Sequence, residues 1–195
     1  MKNEKGKNMN DINKKLIILT TNRLIIRKIR MNDALFIYNL RSNDKNMKFV
    51  EIKPYENIQR AESFIKNVSE DIGNGNVFLW VIETKNSLTK VGTICLWSFS
   101  KENQSAEIGY ELLPLYQKKG YAHEALQSIL NFAETRLNLK AINAITHEKH
   151  EASIQLLLKN DFLHLGYVNE LMPKAEDGPE MLLFRKIFSK SLLDE

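Results

Sequence analysis

The chain has 195 residues, 43% of them hydrophobic and 27% charged, enough for one domain with a full core. No apolar run approaches the roughly 18 residues needed to cross a bilayer, and Leu16–Leu19 is too short for a signal segment. The single cysteine, Cys95, excludes an internal disulfide framework, so a cytoplasmic protein away from membranes is expected. The net charge of +4 does not argue for nucleic acid: Lys2, Lys5, Lys7, Lys14 and Lys15 against Glu4 and Asp11 put +3 of it into residues 1–15.

That Asn/Lys-rich stretch, 1–19, reads as a basic tail. Residues 24–28 (LIIRK) predict a strand, and Asn32 and Asp33 offer caps for a helix through Arg41. Over 57–72, Ile58, Ala61, Phe64, Ile65, Val68 and Ile72 recur at helical spacing, and Gly73-Asn74-Gly75-Asn76 ends that helix. Three strands follow, Val77–Glu83, Lys90–Phe99 and Ser105–Leu113, with short polar links that suit an antiparallel meander. A long helix from about Gly120 to Leu137, a strand at 141–146, a helix at 151–160 and strands near 162–170 and 181–187 complete an α/β order with a mixed sheet. Trp80, Trp97 and Phe99 read as core, and Cys95 as inert.

Residues 116–126 (YQKKGYAHEAL) carry the first chemical signal. A helix start has unpaired N–H groups and a partial positive charge. Gly120 removes a Cβ so that a ligand can approach the backbone, and Ala122 is almost as small. The plainer reading is a loop with one glycine and a solvated lysine pair. The stretch lacks both the Lys-Ser/Thr ending of a P-loop and the three glycines of a dinucleotide fold.

In context, Q-x-x-G-x-A between a strand and a helix resembles the acetyl-CoA pyrophosphate loop of the GNAT N-acetyltransferases. TNRLIIRKIRMNDA (21–34), AEIGYEL (106–112) and ASIQLLLKNDF (152–162) are similar to the opening strand and helix, the fourth strand and the fourth helix of that superfamily's RimJ/RimL branch, which acetylates ribosomal-protein N-termini. The resemblance spans about residues 21–187. It implies a single GNAT domain at 20–188 between the tail and a C-terminal tail at 189–195. It implies a mixed, mostly antiparallel sheet flanked by helices, with the family's fourth strand (106–112) splayed from its fifth (141–146). The pantetheine arm would pair with backbone around Leu112 and Leu113, one N–H polarising the thioester. The pyrophosphate would rest on Gln117, Lys118, Lys119, Gly120, Tyr121 and Ala122. An amine would attack the acetyl group directly.

The attacking amine must lose a proton, to a carboxylate or an ordered water. Glu107 and Glu111 share one face of the splayed strand, bracketing a gap at Gly109. Glu111 is slightly favoured as the substrate-side group, and a solvated strand face is the plain alternative. The RimL likeness assigns the leaving thiolate's proton donor to Ser153 and ranks Tyr110 and Tyr121 below it, Tyr110 pointing to the face opposite Glu111. Three departures stand out: His150 replaces the family's asparagine, which bonds the pantetheine; Asn160-Asp161-Phe162 replaces Leu-Gly-Phe; and the loop has lost one glycine. His147 and His150 are three apart at a strand end and do not match a helical zinc motif, so no metal is expected.

The expected protein is an acetyl-CoA-dependent N-acetyltransferase acting on a primary amine, a protein N-terminal α-amine by the RimJ/RimL likeness. The alternatives are a small-molecule amine (polyamine, amino acid or antibiotic) and a non-catalytic acyl-CoA-binding module. Glu170, Glu176, Asp177 and Glu180 either attract a cationic acceptor or are plain surface. A homodimer through the final strands would be in keeping with the family.

Overall fold

The computed structural model describes residues 18–42, 48–49, 52–171 and 180–188. Nearly all of the basic tail, the tail at 189–195, and Glu176 and Asp177 lie outside the described residues. The elements in chain order are β1 (Leu19–Thr20), β2 (Leu24–Lys28), a 3-10 turn (Met31–Asp33), α1 (Ala34–Arg41), α2 (Ile58–Asn74), β3 (Phe78–Thr84), β4 (Lys90–Ser100) and β5 (Ser105–Leu112). A second 3-10 turn (Pro114–Tyr116), α3 (Tyr121–Thr135), β6 (Ala141–His147), α4 (Glu151–Lys159), β7 (Leu163–Tyr167), the single-turn α5 (Val168–Leu171) and β8 (Met181–Ile187) follow. The predicted order holds, and β1, too short to show a period, and α5 are added.

The strands form one eight-stranded sheet in the order β1-β2-β3-β4-β5-β6-β8-β7. Among the described pairs, β5 with β6 is parallel and the others are antiparallel. Alternation along β3 splits the core between the two faces of the sheet. Trp80 and Ile82 pack with Leu126, Ile129 and Phe132 of α3 and Leu157 of α4. Leu79 and Val81 pack with Ile37 and Leu40 of α1 and Ala61, Ile65 and Val68 of α2. Burying each large aliphatic side chain in these layers contributes about 1.5–3 kcal/mol.

Local signals place the helix ends. The Asn57 side chain accepts from the Arg60 N–H at the start of α2, and Gly75 ends that helix in the left-handed region with φ 81°. Asp161 takes the same region with φ 61° after α4, where the resembling family has glycine. Asp33 behaves differently from expectation: its carboxylate does not cap α1. It is fully buried and chelated by Arg27 Nη1 and Nη2, both at 2.8 Å, with Lys90 Nζ at 2.7 Å. Arg27 also reaches Glu83 at 2.6 Å, so β2, β3, β4 and the α1 entry are tied by one ionic cluster. Burial pushes the Asp33 carboxyl up, but hydrogen bonds from Arg27, Lys90 and the Arg30 N–H outweigh it and hold it at about 2.

Candidate active site

The parallel ladder between β5 and β6 has three pairs, Ser105–Ala141, Ala106–Ile142 and Glu107–Asn143. Beyond them β5 stays on β4 as far as Leu112, and β6 stays on β8 as far as His147. The two strands therefore diverge and leave a wedge, as the resemblance implied. The Leu113 N–H donates to Val91 O on β4 at 2.9 Å. Donor direction alternates along a strand, so Tyr110 and Leu112 present their N–H groups to the wedge and Leu113 does not. The expectation for Leu113 as a backbone donor is thereby corrected. The Leu112 carbonyl accepts from Gln117 Nε2 at 3.0 Å, which draws the loop over the mouth of the wedge.

At that mouth, Gln117, Lys118, Lys119 and Gly120 are exposed, and no side chain caps α3. The first helical bond runs from Glu124 N to Gly120 O, so the N–H groups of Tyr121, Ala122 and His123 have no intrahelical acceptor. Gly120 has φ 79°, a conformation that asks for glycine, and an added Cβ would lie 3.1 Å from Arg23 Nη2. Lys118 also lies in the left-handed region, with φ 58°. A brace supports the loop from below. Glu124 accepts from Thr21 Oγ1 at 2.5 Å, from Arg23 N at 2.7 Å and from Arg23 Nε at 2.6 Å. Arg23 Nη1 donates to the Lys119 carbonyl at 3.0 Å, and its guanidinium lies 4.8 Å from the Tyr121 ring centroid. Burial raises the Glu124 carboxyl, but these donors outweigh it and hold it below the usual range. The brace joins residues about a hundred positions apart, and no local pattern announces it.

Two sets of side chains flank the wedge on opposite faces. On the α3 side, Tyr110 Oη is 2.9 Å from Ser153 Oγ, so the structure joins the serine to a tyrosine that the sequence reading ranked lower. Burial pushes the Tyr110 hydroxyl up to about 12, with the Ser153 bond pulling the other way, so the group keeps its proton at neutral pH. His150 precedes α4. Its ring stacks on Phe49 at 4.6 Å, and its Nδ1 is 3.4 Å from Thr146 Oγ1. Burial first, then His147, hold His150 below the usual histidine range, hence neutral near pH 7.

On the α1–α2 side, Glu107, Gly109 and Glu111 line one face as expected, but the space between the carboxylates is filled. The Trp97 ring crosses Gly109, its edge atoms 2.8 and 2.9 Å from where a Cβ would stand. Trp97 is thus a wall of the site rather than core. Glu111 takes Arg41 Nη2 at 2.5 Å and Arg41 Nε at 3.2 Å. Arg41 is 7% exposed, donates to Tyr55 Oη at 3.1 Å and lies 4.3 Å from the Phe64 ring centroid. Burial opposes its charge, but Glu111 and Tyr55 outweigh it and keep it a cation. Both carboxylate oxygens of Glu111 are thus engaged by Arg41, so this side chain is already paired within the fold. Cys95 faces this site from β4, its thiol pushed up to about 12 mainly by burial and then by Glu111, so it stays neutral. Glu180 is engaged by His147 at 2.8 Å and Lys149 at 3.3 Å.

Residues 23–163 match the acetyltransferase (GNAT) domain family. The chain belongs to that family. An uncharacterised N-acetyltransferase of Bacillus subtilis, YoaA, is 32% identical over 155 residues, covering 80% of this chain and 88% of that protein. The spermidine N(1)-acetyltransferase of Vibrio cholerae is 25% identical over 148 residues, 76% of this chain and 83% of that one. Among solved structures, the ribosomal L7/L12 α-N-protein acetyltransferase RimL in complex with coenzyme A superposes with a TM-score of 0.77 at 16% identity, covering 88% of this chain and 98% of that one. This GNAT enzyme is an N-acetyltransferase that uses acetyl-CoA. The uncapped α3 start, the small residues Gly120 and Ala122 and the exposed Lys118 and Lys119 fit a pyrophosphate. The wedge-facing N–H groups of β5 fit an amide-bearing arm that completes the sheet edge.

Proposed function

We propose that the enzyme acetylates protein N-terminal α-amines by direct attack on acetyl-CoA. The observation that carries the acceptor class is the Arg41–Glu111 pair. A polycation needs uncompensated carboxylates at its site, and here Glu111 is already matched by a buried arginine. A peptide N-terminus brings a single charge and a backbone that can pair.

In this reading the amine nitrogen bonds to the acetyl carbon, the C–S bond breaks, and the amine's surplus proton leaves to water. The N–H of Tyr110 or Leu112 stabilises the developing oxyanion. The thiolate takes the Tyr110 proton, with Ser153 holding that hydroxyl in place, and Tyr110 regains a proton from water, which received the amine's. The loop from Gln117 to Ala122 holds the pyrophosphate, and His150 takes the place of the family's asparagine beside the arm. Glu107 is the carboxylate through which a water would act.

A polyamine acceptor is the second reading, favoured by the likeness to the Vibrio cholerae spermidine enzyme. Competition decides between them. Peptides with free Ser or Ala N-termini and spermidine are offered together with acetyl-CoA, and products are weighed by mass spectrometry. Peptide acetylation at about tenfold higher kcat/KM is expected; preference for spermidine would reverse the assignment.

For assembly we infer a dimer through β7, an edge strand whose Leu163 and Leu165 are 61% and 44% exposed. Light scattering on wild type and Leu163→Lys reads this out directly.

A further inference from the structure

The last pair of the parallel ladder sets Glu107 beside Asn143, and Glu107 also pairs with Trp97 on β4. Partners in register point their side chains to one face. Trp97, Glu107 and Asn143 therefore form a row across β4, β5 and β6, at the vertex of the wedge and on the α1–α2 side. Tyr110 and Ser153 occupy the opposite face, so this row is on the side left for the acceptor. In it, Asn143 Oδ1 is buried and has no hydrogen-bond partner among the described residues.

A buried amide oxygen without a donor costs about 1–3 kcal/mol, and native proteins keep such groups where they have a use. The vertex is where the wedge ends, so a group lying along the wedge brings its tip close to this oxygen. An amide oxygen is far too weak a base to take a proton at neutral pH. It can accept a hydrogen bond from a neutral amine and so aim the nitrogen lone pair.

We propose that Asn143 Oδ1 accepts an N–H of the acceptor amine and orients it for attack, making Asn143 a positioning residue of the acceptor site. This rests on the acetyl-transfer reading above. A neutral primary amine has two N–H groups, one to give to Asn143 Oδ1 and one to lose after attack, while its lone pair faces the acetyl carbon. Trp97, across Glu107 on the same face, supplies an apolar wall over Gly109.

The test uses the full chain, with Asn143→Leu and Asn143→Asp beside wild type. Acceptor kcat and KM are measured on the amine that wild type prefers, acetyl-CoA dissociation by calorimetry, and melting by scanning fluorimetry. Leucine matches the size and deletes the acceptor. Its acceptor kcat/KM should fall about tenfold or more, most of it in KM, with acetyl-CoA affinity within about twofold of wild type. Its Tm should be unchanged or higher, because an unsatisfied buried oxygen is removed. Aspartate keeps an acceptor oxygen and should restore kcat/KM to within about threefold of wild type. Unchanged acceptor kinetics in Asn143→Leu overturn the assignment, as does a lower Tm, which would mean the oxygen is satisfied within the fold. Loss in Asn143→Asp equal to that in Asn143→Leu overturns it too, since the amide N–H₂ would then be the working end. A wild type that binds acetyl-CoA but acetylates neither peptides nor polyamines overturns the transfer reading, and this proposal with it, through a different arm of the same experiment.

Discussion

A single hydroxyl pair decides most of what the α3 side of the wedge can do. Tyr110 and Ser153 are 43 positions apart, yet period-two alternation on β5 and the first turn of α4 bring their oxygens to 2.9 Å. With Tyr110 as donor, Tyr110→Phe should lower kcat by about a hundredfold with little change in acetyl-CoA affinity. Ser153→Ala should cost about tenfold, because it removes the partner and not the proton; stopped-turnover and binding assays separate the two. On the other face, Glu111→Gln leaves a buried guanidinium without its counter-charge. It should lower stability by about 3 kcal/mol, seen as a reduced denaturation midpoint, before any effect on chemistry is counted. The sequence told half of this: alternation put the two glutamates on one face, but nothing local announces that Arg41, 70 positions earlier, claims Glu111.

At the level of elements, the α3 start depends on backbone shape as much as on composition. Gly120 is held at φ 79° while the β1–β2 turn grips Glu124 from below. Gly120→Ala forces a Cβ into a left-handed residue against Arg23 and should cost about 1–2 kcal/mol in stability. It should also weaken acetyl-CoA binding severalfold by calorimetry, and Gly120→Glu, which adds a negative charge where pyrophosphate is expected, should abolish it. Arg23→Ala probes the brace: stability changes by under about 1 kcal/mol because the pair is half exposed, yet acetyl-CoA binding weakens because the loop loses its support. The loop itself was legible from Gly120 and the flanking lysines. Its brace was not, since a strand-turn arginine reads as surface until the chain folds.

At the scale of the whole molecule, the cluster of Arg27, Asp33, Glu83 and Lys90 ties three strands and the α1 entry together. The Asp33 carboxyl falls from an ordinary 3.8 to about 2 on folding. A depressed carboxyl binds fewer protons in the folded state, so its contribution is fully present above about pH 4 and disappears as pH falls through about 2. Roughly 2 kcal/mol of unfolding free energy should be lost across that window, and Asp33→Asn should flatten it; urea melts between pH 2 and 5 measure both. The sequence predicted a cap at Asp33 because Asn-Asp before an apolar run is a common helix opening. It could not weigh that against two cations that only folding brings near. Long-period patterns, by contrast, were readable: the α2 stripe and the meander follow from spacing that tertiary structure did not overrule, while the splay was implied only by the likeness to the GNAT family.

The three-pair seam between β5 and β6 also has a mechanical meaning. It is a perforation: five strands lie on one side of it and three on the other, joined by a ladder far shorter than its neighbours, with α3 packed across one face. Pulled from Lys101, in the β4–β5 turn, and Phe188, which follows β8, the protein should yield first along that line. A molecule lodged in the wedge would act as a staple, so the rupture force measured in an optical trap should climb with acetyl-CoA concentration while the force needed to strip β7 from β8 stays constant.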